Sequence, residues 1–165
     1  MKIAIVYYSQ SGNVDFVANK MLKYLDADLV RIEPDKAYPD KGFKKFFWGG
    51  KSAVMGESPA LAPYEFDVQK YDVVVLGYPV WAGTFAPPIR SFVEQNFFGL
   101  QAKKVPAFAC SSGGNAEKSF KKLAALLKVE SIFPTLSLVD PLVKQKNDNL
   151  ACIEAFCAQI KELNA

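Results

Sequence analysis

The chain contains no histidine. That single absence removes Ser-His-Asp triads, Cys-His dyads and most catalytic zinc sites, all of which use imidazole. Its three cysteines, Cys110, Cys152 and Cys157, are scattered and form no Cys-x-x-Cys pair, so zinc fingers are excluded as well. No apolar run approaches the ~20 residues that a membrane helix needs. The apolar run after Met1-Lys2 is too short for a secretion signal, and no small-residue cleavage site follows it. A cytoplasmic protein without membrane insertion is therefore expected. Strong charge is missing too: a net charge of +3 gives no reason to expect a nucleic-acid partner. Neither G-x-x-x-x-G-K-[S/T] nor G-x-G-x-x-G occurs, which excludes a nucleotide-hydrolysing phosphate loop and the dinucleotide fingerprint. Any enzymatic chemistry must come from groups other than imidazole, and a cofactor is the natural source.

What the chain does have is apolar residues, at 50% of its 165 positions, enough for one domain spanning residues 1–165. Ile3 to Tyr8 is a continuous apolar run, as expected of a strand covered on both faces. Val14, Val17, Ala18, Met21, Leu22 and Leu25 then mark one face of a helix. "DLVRIE" (28–33) predicts a second strand. Pro34 to Tyr71 is rich in Pro, Gly, Lys and aromatics and predicts a long loop, with a short helix over Lys41–Lys51 ending at Gly49-Gly50. "DVVVLG" (72–77) is a third strand and "YPVWAGTFAPP" (78–88) a loop. A helix opens at Pro87-Pro88 with Ile89, Phe92, Val93 and Phe97 on its buried face. A fourth strand covers 104–110, despite Pro106 near its start. Phe120, Leu123, Ala124 and Leu127 mark a helix. A fifth strand lies around Phe133–Val139, and a last helix from about Asp148 buries Leu150, Ile153, Phe156, Ile160 and Leu163. Strands alternating with helices over short connections predict a parallel sheet with helices on both faces. Ligands of such sheets sit beyond the carboxyl ends of the strands, where strand order reverses.

Three of those ends carry "SQSGN" (9–13), "YPVWAG" (78–83) and "SSGGN" (111–115). In the first, Ser9 and Ser11 offer hydroxyls, Gly12 permits a tight turn, and the helix beginning near Asn13 directs unpaired N–H groups to the same spot. These features suit a phosphate held by neutral donors, since the loop has no Lys or Arg. They equally suit Ser11 or Asn13 as an ordinary helix cap. In the second loop, Trp81 either lies against a planar ligand or packs on a helix. Trp48 and Phe46-Phe47 are further aromatic candidates. The third loop offers backbone N–H groups to ring carbonyls. It is not a phosphatase loop, because C-x5-R would need Arg where Ala116 stands, and Cys110 is expected to be a buried structural residue.

Together, "YYSQSGNVDFVA", "VVVLGYPVWAGTFAPPIRSFV" and "PAFACSSGGN" resemble flavodoxins, and "FFWGGK" and "GYPVWAGTFAPP" look most like a branch of short flavodoxin-like proteins. The resemblance spans nearly the whole chain. It implies a three-layer sandwich with a five-stranded parallel sheet of order 2-1-3-4-5. It implies FMN as cofactor, with Ser9, Gln10, Ser11, Gly12, Asn13 and Val14 at its phosphate. Tyr78, Pro79, Val80, Trp81, Ala82 and Gly83 would flank the ring, and Ser111, Ser112, Gly113, Gly114 and Asn115 would line its pyrimidine side. Val14 departs from the family pattern, which has Thr there, and one hydroxyl contact is expected to be lost. The slight basic charge departs from the strongly acidic electron carriers of the family. The implied activity is one-electron transfer through the semiquinone/hydroquinone couple, with redox partner proteins, as a monomer or homodimer. The alternative is an FMN-dependent NAD(P)H:quinone or nitro reductase. The lysine-rich stretch 34–71 suits either reading, as a partner-docking surface, a substrate lid, a dimer contact, or a solvated amphipathic helix.

Overall fold

A computed structural model describes residues 1–39, 42–114, 116–144 and 147–163, with the side chains of 42–48 and 147 left aside. Five strands form a parallel sheet: β1 (Ile3–Tyr7), β2 (Ala27–Arg31), β3 (Val73–Trp81), β5 (Ala107–Ser111) and β6 (Thr135–Val139). Their spatial order is β2-β1-β3-β5-β6, the expected order once a short sixth strand, β4 (Thr84–Phe85), is set aside. The helices are α1 (Asn13–Met21), α2 (Gly42–Met55), α3 (Pro87–Gln95), α4 (Phe97–Gln101), α5 (Glu117–Leu127) and α6 (Asn147–Glu162). None of the helices, among the described residues, is long and apolar enough to cross a membrane.

The side-chain alternation of the strands builds two cores, one on each face of the sheet. Ile3, Ile5, Val73, Val75, Phe108 and Cys110 face α1 and α6, against Val17, Met21, Ile153, Phe156 and Ile160. Ala4, Val6, Val74, Leu76, Ala107 and Ala109 face α3, α4 and α5, against Ile89, Phe92, Leu100, Leu123 and Leu127. Strands β1 and β5 sit between neighbours, and every residue of β1 is buried. At the edge, β6 buries only alternate residues, Leu136 and Leu138, because one face of it lacks a covering helix.

Several expectations change. The stretch 78–85 is not a loop: β3 runs on to Trp81, turns at Ala82-Gly83 and returns as β4, with Val80 paired to Phe85 and Trp81 to Thr84. Positive φ at both turn residues (50° and 71°) is the geometry that matches the twist of a two-residue hairpin. Helix α2 continues through Gly49-Gly50 to Met55. Phe97 belongs to the separate helix α4, since α3 ends at Gln95. Leu22 and Leu150, expected in the core, are 41% and 43% exposed; Leu22 lies just past the end of α1.

Candidate functional site

Because β1, β3, β5 and β6 are parallel neighbours, the segments that leave their carboxyl ends gather at one edge, beside the point between β1 and β3 where strand order reverses. They enclose a cavity of about 430 Å³. Of the residues expected there, Gln10, Ser11, Asn13, Pro79, Val80, Trp81, Ala82, Gly83, Ser111, Ser112, Gly113 and Gly114 line it. Asn115 lies outside the described residues.

The first loop is built around a left-handed glycine. Gly12, at φ 87°, precedes α1 and supplies no side chain to cap it. Ser11 and Asn13 do not cap the helix either. Asn13 instead donates through Nδ2 to the Ser11 hydroxyl (3.3 Å) and accepts through Oδ1 from the Leu142 amide (3.0 Å), which ties this loop to the segment after β6. The capping bond comes from Ser9, whose Oγ accepts from the Asp15 amide at 3.1 Å. Ser9 is thereby buried below the cavity, not on its wall. The amides of Ser11, Gly12, Asn13 and Val14 find no acceptor among the described residues. Helix N-termini leave such donors over, and with the positive end of the helix dipole they favour an anion. Val14 contributes that amide but not its side chain, which is 1% exposed in the core with Val17 and Met21. The position lacking a hydroxyl is therefore one whose side chain packs inward.

The β3–β4 hairpin forms the next wall. Trp81 packs on a helix, α2, and also lines the cavity. Its ring lies so close to Gly49 of α2 that a Cβ there would stand 3.2 Å from it, which explains that glycine inside a helix. Tyr8 and Tyr38 meet the indole edge-to-face at 5.8 and 5.2 Å, fixing its plane. Tyr78 is not part of the wall. It is fully buried on the α5 side, its hydroxyl 3.3 Å from that of Ser119, and burial raises its pKa well above the ordinary phenol value.

In the third loop the Ser111 hydroxyl accepts from the Gly114 amide at 2.9 Å, folding the chain back on itself. Nothing stands near where side chains would rise from Gly113 and Gly114, so the cavity opens there. Three lining residues escaped the sequence reading: Gly50, Cys110 and Asp140. Cys110 forms part of the floor, and burial, assisted by the nearby Asp140 charge, pushes its thiol up to about 12. Asp140 follows the last residue of β6; its amide donates to the Ser111 carbonyl (2.9 Å) and its carboxylate pairs with Lys144 (3.3 Å). Gly50 and Cys110 stand within quoted motifs without a site role of their own, and Asp140, just past β6, belongs to no motif and is brought to the site by strand order. Among the described residues no Lys or Arg lines the cavity, and no cluster is suited to a metal ion. The arrangement offers neutral donors at one end, an aromatic wall, and backbone groups at the other end.

Such a cavity, at the reversal point of a doubly wound parallel sheet, defines an α/β protein with a site for one small anionic, planar ligand. The chain belongs to the flavodoxin family, whose model matches residues 2–144. Among solved structures it is similar to a flavoprotein of Lactobacillus acidophilus in complex with FMN, at 22% identity over 87% of this chain and 97% of that one, with a TM-score of 0.70. It is also similar to a flavodoxin from the domain Archaea (14% identity, 98% and 97% covered, TM-score 0.58) and to Flavodoxin 1 of Bacillus cereus (12%, 99% and 99%, 0.56). At these identities the likeness concerns the fold. Among curated proteins none matches the chain.

Proposed function

We propose that the cavity binds FMN and that the protein is a one-electron carrier serving redox partner proteins. The observation that carries this reading is the run of four unpaired amides at residues 11–14, of which Ser11 and Asn13 belong to the wall of the cavity that Trp81 and the Ser111–Gly114 loop also line, while Gly12 and Val14 stand behind that wall. The residues present fit the cofactor. Ser11 and the amides of Ser11, Gly12, Asn13 and Val14 would hold its phosphate through neutral donors, as expected for a single phosphate without a counter-cation. Trp81, braced by Tyr8 and Tyr38, would flank the ring, and the Ala82-Gly83 turn and the Ser111–Gly114 loop would present backbone groups to its edge. When bound, a flavin supplies one- and two-electron redox chemistry, and the protein's task is to orient it and set its surroundings.

The titratable side chains on the described lining are Cys110 and Asp140, and the carrier reading asks neither of them for acid or base work. The Cys110 thiol stays protonated at neutral pH, and the Asp140 carboxylate is engaged by Lys144. A cavity of about 430 Å³ suits one small-molecule ligand. The test is a reductive titration of the purified, FMN-loaded protein followed by its visible spectrum. Two resolved one-electron steps support the carrier. A single two-electron step, with fast NAD(P)H oxidation when a quinone is added, contradicts it in favour of the reductase.

A further inference from the structure

The first loop carries no cation of its own, yet one stands behind it. Arg31 ends β2 and is in register with Tyr7, the last residue of β1, which places its guanidinium beside the segment leaving β1. There it makes three contacts. Nη2 donates to the Ser9 carbonyl at 3.2 Å, Nη1 lies 3.5 Å from Asp15 Oδ1, and Nε donates to Glu33 Oε1 at 2.6 Å. The Glu33 bond raises the pKa of Arg31, so its charge is permanent. The Tyr7 hydroxyl donates to the same Asp15 oxygen at 2.7 Å.

Asp15 is the awkward member of this group. It lies in the first turn of α1, where its charge favours the helix but repels a second anion bound to the amides of the preceding residues. Its amide is also the one capped by Ser9. Arg31 therefore touches both halves of the phosphate loop. It holds the Ser9 carbonyl to the β2 side, and it offsets the Asp15 carboxylate with a donor and a charge.

We propose that Arg31 is the positioning residue that gives this cavity its preference for a phosphate-bearing flavin over the same flavin without phosphate. It acts through Ser9 and Asp15, not by lining the cavity. This inference rests on the FMN reading above. Its effect is electrostatic and acts at the phosphate end, through Ser9 and Asp15. Arg31 is half exposed (48%), so neutral replacements at this position leave the core intact.

The experiment measures FMN and riboflavin affinity for flavin-free wild type, R31Q, R31K, D15N and R31Q in the D15N background. With the charge that offsets Asp15 removed, the Asp15 carboxylate repels the bound dianion uncompensated, and FMN affinity falls about tenfold with riboflavin changed less than about twofold. R31K, which keeps the charge and loses the fork, falls between wild type and R31Q. In the D15N background the R31Q loss shrinks, because the carboxylate being offset is gone. Equal losses for both flavins, an unchanged R31Q, or the same loss in the D15N background would each overturn the inference while leaving the FMN reading standing. A wild type that takes up no FMN would sink both.

Discussion

The closest packing in the sheet lies just below the cavity, and it sets a demanding prediction. Gly77 of β3 is in register with Phe108 of β5, on the face covered by α1 and α6. A methyl group at Gly77 would overlap the Phe108 ring, which is itself 1% exposed and has no room to turn aside. Overpacking of this kind costs about 1–3 kcal/mol, and a ring gripped from both strands belongs near the upper end. For a domain of this size each kcal/mol moves the melting temperature by about 2–4 °C, so Gly77→Ala is expected to melt roughly 5–10 °C below wild type. Thermal and urea unfolding of the flavin-free protein measure this directly. Phe108→Leu alone leaves a void and also destabilises, but in combination the new methyl enters part of that void. The double variant is then more stable than the sum of the single losses requires. A melting point for Gly77→Ala within about 1 °C of wild type, or strictly additive losses, would refute the packing argument.

Other expectations concern the turn, the cap and the thiols. Ala82 holds φ at 50° without the freedom of glycine, so Ala82→Gly raises stability by up to about 1 kcal/mol in urea unfolding. Ser9→Ala removes the acceptor for the Asp15 amide and costs about 1 kcal/mol, with weaker binding of FMN as the loop loosens. Cys110 and Cys157 are both raised from 9.0 to about 12, mainly by burial. Their contribution to stability is complete below pH 9 and is lost as pH rises toward 12, because the unfolded chain releases those protons first. Replacing both with alanine should flatten the fall in melting temperature above pH 9, and an unchanged slope would show that the thiols do not drive it.

The sequence made the sheet easy to see, because β1 and the first half of β3 are unbroken apolar runs that both faces of a parallel sheet require. It hid features that depend on contacts between distant segments. The Ala82-Gly83 hairpin was obscured because alanine is not a usual residue for a left-handed turn position. Gly49-Gly50 looked like a helix stop, but the helix runs through it and the smallness of Gly49 serves the Trp81 ring. Ser9 and Ser11 look alike in one dimension. Only the fold shows that one caps α1 from below while the other faces the cavity. Asp140 and Arg31 belong to no motif at all, and strand order alone carries them to the site.

The central claim is that the loop at residues 9–14 is a neutral cradle for one phosphate. The most direct measurement is calorimetric titration of the flavin-free protein and of Ser11→Ala with FMN and with riboflavin. Wild type is expected to bind FMN at least about a hundredfold more tightly than riboflavin, since hydrogen bonds to a charged group contribute about 1.5–3 kcal/mol each and several donors converge. Ser11→Ala is expected to weaken FMN by about tenfold and leave riboflavin unchanged. Equal affinity of wild type for the two flavins, or equal loss of both in the variant, would contradict the account.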